Sequence, residues 1–261
     1  MNNNKCPFCG SHDVVPNGAG ATTYRCHACM GTFVVKACAV LDAEKNKKSS
    51  SLINHGQSAN HKDLFFANIM KKVVEIRAYF DGNVKAGSGF FISPEYVMTN
   101  AHIIFRDMTS DSMTSLAAHI SGNDYSKIHK HTFELVSADI SADIAILKSS
   151  GEEKHYADFA ANIYNGEKVF VVGNSQGQGL CILDGIVSDI SRIVDGNEFF
   201  MTSALVTHGN SGCPVFNENG QVLGMITEGS ELSAAMNYAI PAKRLISYAN
   251  KVETDEEIKI F

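Results

Sequence analysis

The stretch HGNSGCPVF, His208 to Phe216, holds a hydroxyl and a thiol two residues apart in a glycine-flanked turn. On its own it nearly matches the G-x-S-x-G nucleophile elbow of the α/β-hydrolases. Two features oppose that reading. Position 213 is Cys where the elbow closes on Gly, and the surroundings are short β-like runs rather than alternating strands and helices.

Outward from this stretch, residues 68 to 250 are dense in such runs: VVEIRAYF, AGSGFFIS, YVMTN, HTFELV, DIAILK, EKVFVVG, LCILDGIVS, EFFMTSAL, CPVF, QVLGMITEG and NYAIP. Most are four to eight residues long, and Gly, Asn, Asp or Ser separates them. That spacing predicts an all-β sandwich or barrel. Only PAKRLISYANKV, from Pro241, reads as a helix, with proline at a plausible first position.

A serine hydroxyl is a poor nucleophile without a base to take its proton. VMTNAHII places His102 at the end of an apolar run, SADIAILK places Asp143 at the start of another, and Ser211 follows. Of the known triad arrangements, His, Asp, Ser in that chain order is the chymotrypsin order. Asp139 competes with Asp143 in the repeat SADISADIAILK, but the apolar run follows Asp143 directly and Asp139 fits a turn. His119, His129 and His131 compete with His102, but they lie in polar stretches and read as solvated.

The segments GSGFFISPEYVMTNAHII, SADIAILK, VVGNSQGQG with DGIVSDISR, HGNSGCPVFNENGQVLGMITEG and NYAIPAKRL resemble, in order, the trypsin-like serine proteases, most closely the HtrA type. The resemblance implies two packed six-stranded β-barrels with a C-terminal helix. His102 and Asp143 would come from the first barrel and Ser211 from the second. It implies a serine endopeptidase acting on protein or peptide substrates, with no cofactor for catalysis. The N–H groups of Gly209 and Ser211 would form the oxyanion hole. Thr227, Glu228 and Gly229 match the segment that pairs with an extended substrate backbone, and His208 lies at the rim of the primary pocket. Leu205 maps near the pocket base, which favours an apolar residue before the cleaved bond. Cys213 stands where the family usually has a second glycine; a small buried thiol is tolerated there, and its oxidation offers a route to inactivation.

Residues 1–35 form a different module. Cys6/Cys9 and Cys26/Cys29 are two C-x-x-C pairs separated by sixteen residues, a spacing that suits four thiolates on one structural Zn²⁺. DVVPNGAGATTYRC between them reads as strand, Gly-rich turn and strand. CPFCGS and YRCHACMGTF resemble the N-terminal zinc ribbons of some insertion-element transposases, which implies a recognition role. Residues 36–67, with KNKKSSS, read as a linker, 68–250 as the protease domain, and 251–261 as a C-terminal tail.

Net charge is −6, and residues 1–48 carry six Lys/Arg against three Asp/Glu, so the acidic excess lies in the large domain. That balance opposes a nucleic-acid coat, and for the ribbon a protein partner is slightly favoured over nucleic acid. No apolar run approaches the ~18 residues that span a bilayer, so no membrane partner is expected. The N-terminus lacks the apolar region of a secretory signal, which predicts a cytoplasmic protein with reduced cysteines. Two other readings remain: a catalytically silent peptide-binding scaffold, and an adaptor recruited to nucleic acid through the ribbon.

Overall fold

The computed structural model describes residues 14–16, 23–26, 32–34, 61–108, 116–124, 130–230 and 233–261. The chain divides into two units, residues 1–64 and 65–261. In the first, strands β1 (Val14–Pro16), β2 (Thr23–Cys26) and β3 (Thr32–Val34) form a three-stranded antiparallel sheet in that order. Val14 pairs with Cys26 and Pro16 with Tyr24, so the two strands expected between the cysteine pairs are present and antiparallel. Cys6, Cys9 and Cys29, and the side chain of Cys26, lie outside the described residues.

The second unit begins at Phe65, within helix α1 (His61–Lys71), where the sequence reading placed linker up to residue 67. Asp63 in its first turn and Lys71 in its last suit the helix dipole. Phe65 and Phe66 meet Phe170 edge-on at 5.4 and 5.2 Å between ring centroids, and Ile69 is fully buried. The packed domain therefore starts at Phe65. The helix was missed because its apolar residues, Leu64 to Ala67 with Ile69 and Met70, form one short, nearly unbroken run with no clear period.

Strands β4 (Val73–Phe80), β5 (Asn83–Phe91), β6 (Tyr96–Thr99), β7 (His119–Asn123), β8 (Lys130–Asp139) and β9 (Ile144–Ser149) close a barrel in the order β4-β5-β6-β9-β8-β7. Period-2 alternation sends Val74, Ile76, Ala78 and Phe80 of β4 into its core. The same period turns His131 inward with Phe133 on β8. His131 is 5% exposed, its ring stacks on Phe133, and its Nδ1 lies 2.9 Å from Ser149 Oγ, so it is a core residue and not the solvated one expected.

The second barrel comprises β11 (Lys168–Gly173), β12 (Cys181–Val194), β13 (Asn197–Thr202), β14 (Pro214–Phe216), β15 (Gln221–Ser230) and β16 (Ser233–Pro241), ordered β15-β14-β11-β12-β13-β16 and closed by β15 against β16. The short β10 (Asp158–Phe159) adds in parallel to β15. The expected two six-stranded barrels are thus present. They share one apolar layer, in which Phe90, Met98 and Ile146 of the first meet Phe170, Phe216 and Met225 of the second. Among the described residues two further α-helices follow, α2 (Ala101–Ile104) after β6 and α3 (Ala242–Asp255) after β16. Pro241 caps α3 one residue before the first helical position. Tyr248 ties α3 to the first barrel through its hydroxyl, 2.9 Å from Ser137 Oγ, and burial pushes its phenol up to about 12. Residues 251–261 are not a detached tail: Val252 and Ile260 are buried, and Glu253 Oε1 accepts the N–H groups of Ile260 and Phe261. No described helix is long and apolar enough to cross a membrane.

Candidate active site

Helix α2 follows β6 directly and carries His102 at its second position. Asp143 ends the turn between β8 and β9 with φ +56°, a left-handed conformation that Asp tolerates better than most residues. The turn is set by Asp139, whose Oδ1 accepts from Ser141 Oγ and from the Ala142 N–H. Burial opposes ionisation of Asp139, but these bonds hold its carboxyl below the usual range. Asp139 is therefore the last residue of β8, where it braces the turn that follows rather than sitting in it as its sequence context predicts.

The Asp143 carboxylate holds His102 twice. Oδ1 accepts the His102 backbone N–H at 3.0 Å, and Oδ2 lies 2.8 Å from His102 Nδ1. An ionised carboxylate only accepts, so Nδ1 carries the proton and Nε2 is left with its lone pair. Asn100 Nδ2 donates to the Asp143 carbonyl at 2.9 Å, and Thr227 Oγ1 donates to Oδ2 at 2.5 Å. Thr227 was expected to contribute backbone to substrate; its side chain in addition supports the carboxylate.

Ser211 lies in the turn between β13 and β14, half-buried, with Oγ donating to the Thr227 carbonyl at 3.2 Å. Thr227 thus links the Ser211 turn of the second barrel to the His102–Asp143 pair of the first. The described hydrogen bonds include none from Ser211 Oγ to His102 Nε2; catalytic hydrogen bonds of this kind are often long before substrate arrives. Gly209 has φ +93°, and a Cβ there would lie 2.2 Å from the Asn174 carbonyl oxygen, so only glycine fits. The His208 carbonyl accepts the Gln176 N–H at 2.7 Å. In a trans peptide N–H and C=O point oppositely, so the Gly209 N–H faces away from Gln176. Among the described residues, neither the Gly209 nor the Ser211 N–H donates to a protein acceptor. That pair of unspent donors is what an oxyanion hole requires.

Two positioning residues escaped the sequence reading. Ser88 on β5 is fully buried and joins the barrels: its N–H donates to the Ser211 carbonyl at 2.9 Å, its Oγ donates to the Gly209 carbonyl at 3.0 Å, and it accepts the Asn174 N–H at 2.8 Å. Lys85 Nζ donates to the carbonyls of His102, Phe105 and Arg106 at 3.0, 2.7 and 3.0 Å, which satisfies the open C-terminal end of α2. Ser88 stands inside the motif GSGFF, but no period in sequence links either residue to its partners.

For substrate contacts the outcome is mixed. Thr227 to Gly229 lie on β15 beyond Ile226, where β14 has ended, so one edge of this segment has no strand beside it among the described residues. Such an edge admits an extended peptide. The side chain of Glu228 lies outside the described residues. His208 is exposed, consistent with a rim position. Leu205 is 60% exposed rather than set at a pocket base, so the apolar preference drawn from it has no support.

Cys213 is fully buried among Val171, Val215, Leu223 and Ile226, and burial pushes its thiol up to about 12. Its sulfur occupies the space above Gly173, where a Cβ would lie 1.7 Å from Sγ. This answers why sulfur is tolerated two residues after Ser211: a glycine on β11 makes room for it. Gly173→Ala is expected to destabilise the fold by about 2 to 3 kcal/mol through overpacking. Adding Cys213→Gly should restore at least half of that loss, as read by urea denaturation. A double variant no more stable than Gly173→Ala would refute the packing account.

The sequence pattern of the trypsin-like peptidase domain matches residues 87–225, more than half of the chain. The chain belongs to the trypsin-like peptidases. This trypsin-like peptidase is 31% identical over 180 residues to a probable periplasmic DegP-like serine endoprotease of Chlamydia trachomatis, covering 61% of this chain and 33% of that protein. It is 27% identical over 228 residues to the human serine protease HTRA3, covering 77% of this chain and 48% of that one. The chain thus spans about a third to a half of the length of these relatives. Among solved structures, the active form of the Rv3671c protease of M. tuberculosis matches with TM-score 0.63 at 25% identity, covering 72% of this chain and 83% of that one. The expected cytoplasmic location does not stand. Matched bacterial relatives from Chlamydia, Halomonas and Bartonella are named periplasmic endoproteases, and the argument for reduced cysteines from a cytoplasmic setting falls with it.

Proposed function

We propose that this trypsin-like peptidase is a serine endopeptidase in which Ser211 attacks, His102 is general base and acid, and Asp143 orients and stabilises the imidazolium. The observation that carries the reading is the double grip of Asp143 on His102, which fixes both ring position and tautomer. Substrate enters as a strand along Thr227–Gly229, with its scissile carbonyl over Ser211. Ser211 Oγ leaves its contact with the Thr227 carbonyl and adds to the carbonyl carbon as His102 Nε2 takes the proton. The N–H groups of Gly209 and Ser211 receive the developing oxyanion, each donor contributing about 3 kcal/mol. His102 then protonates the leaving amine, and water repeats the sequence to release the acyl group.

Thr227→Val is expected to lower kcat about 10-fold, the worth of one hydrogen bond to a charged acceptor, with KM little changed and Thr227→Ser near wild type. The reading itself is tested with a fluorophosphonate probe on the full chain: Ser211 is expected to be labelled, and Ser211→Ala not. A folded wild type that resists the probe and cleaves no unfolded protein would favour the peptide-binding scaffold.

For the N-terminal unit, the donor set fits Zn²⁺. Two C-x-x-C pairs flank the β1–β2 hairpin, and β2 ends at Cys26, where the second pair begins. Cys6, Cys9, Cys26 and Cys29 would hold the ion, which supplies a structural crosslink in a unit too small for a large core. A protein partner for this ribbon is slightly favoured over nucleic acid. The names of the bacterial relatives support a periplasmic setting for the chain.

A further inference from the structure

We propose that Cys181 and Cys213 form a thiol pair that closes to a disulfide beneath the oxyanion loop. Cys181 begins β12 and is directly paired with Gly173 of β11. Directly opposed residues of an antiparallel pair send their Cβ atoms to the same face, about 5 Å apart. Cys213 Sγ occupies the place of the missing Gly173 Cβ, 1.7 Å from where that atom would be. The Cys213 sulfur therefore lies on the same face as the Cys181 side chain, about 5 Å from its Cβ. A side-chain rotation of Cys181 and a small shift of the loop bring two sulfurs so placed to bonding distance.

Both are free thiols in the present state. Cys181 is partly exposed, and its Sγ donates to Ser175 Oγ at 3.0 Å. Ser175 Oγ donates to Asn210 Oδ1 at 3.0 Å, and Cys213 Sγ approaches the same Oδ1 at 3.6 Å. Asn210 is 1% exposed, and its Nδ2 has no hydrogen-bond partner among the described residues. The two thiols thus sit at opposite ends of a short polar chain whose middle member, Asn210, lies between Gly209 and Ser211. Gly173 is what makes the approach possible, since any side chain there would separate the sulfurs.

Cys213 alone is shielded from oxidants by burial, and its raised thiol ionises rarely. Cys181 is the entry point. Its thiolate attacks a disulfide oxidant such as oxidised glutathione, forming a mixed disulfide and releasing one glutathione thiolate. Cys213, giving up its proton to solvent, attacks the Cys181 sulfur and releases the second glutathione. Two protein thiols lose two electrons and two protons, and the oxidant gains both as two thiols. The second step is the slow one and accelerates as pH rises. An oxidising compartment such as the periplasm supplies oxidants of this class.

The pair is independent of the peptidase reading, because the readout is a covalent bond and not turnover. Folded full-length protein is incubated with oxidised glutathione, remaining thiols are blocked by alkylation, and the digest is mapped by mass spectrometry without reduction. A peptide pair joined through Cys181 and Cys213 is expected, lost on reduction and absent in Cys181→Ser and Cys213→Ala. Should Cys213→Ala fail to fold, the half-exposed Cys181→Ser still provides the control. Cys181 found only as its glutathione adduct, both thiols alkylated, or either joined to another cysteine instead would overturn the proposal.

Discussion

Ser211→Ala is expected to lower kcat on an unfolded protein substrate by roughly a million-fold while the thermal midpoint stays near wild type. The side chain makes one described hydrogen bond, to the Thr227 carbonyl, so little of the fold depends on it. In the proposed mechanism the chemistry depends on it entirely, because without Oγ no acyl-enzyme forms. His102→Ala should cost about as much, and the double variant little more, since nucleophile and base act as one unit. Residual turnover of roughly a thousand-fold over water would remain from the unspent Gly209 and Ser211 N–H groups. Steady-state kinetics on the three variants check this. Losses that multiply, or a Ser211→Ala variant within tenfold of wild type, would remove Ser211 from the reaction.

Asp143→Asn is expected to lower kcat by about 10⁴-fold. The carboxylate accepts three donors: the His102 N–H, His102 Nδ1–H and Thr227 Oγ1–H. An amide has one acceptor oxygen and an NH₂ group that must donate. Facing His102 Nδ1, that NH₂ moves the ring proton to Nε2 and so abolishes the base. Facing Thr227 or the His102 N–H, it opposes another donor. Fluorophosphonate labelling should slow in parallel with turnover, since both need the base. NMR of the imidazole protons should show the proton on Nε2 in the variant and on Nδ1 in the wild type. An unchanged tautomer with full loss of activity would contradict the orienting role given to Asp143.

The legibility of this site follows the range of the interactions that make it. The choice of Asp143 over Asp139 was readable because it is local: Asp139 closes its own turn through Ser141 and Ala142, and the strand starts beside Asp143. His131 was readable in principle, as period 2 along KHTFELV sets it on the face of Phe133, but a histidine among polar neighbours looks solvated until the alternation is counted. Helix α1 was missed since Phe65 and Phe66 gain their meaning from Phe170, about a hundred residues away in a barrel strand.

The sequence by itself determined the β-rich character of the chain and set His102, Asp143 and Ser211 in order beside strand ends, with a glycine at 209, because strand alternation and turn chemistry act over a few residues. Only the tertiary structure decided that Ser88 joins the nucleophile loop to the first barrel, that Thr227 serves Asp143 through its hydroxyl, that Lys85 closes the end of α2, and that Gly173 brings Cys213 towards Cys181. Each of these is a contact between side chains or backbone groups on different strands, fixed by barrel closure and register, and neither composition nor period in the chain records which strands will meet.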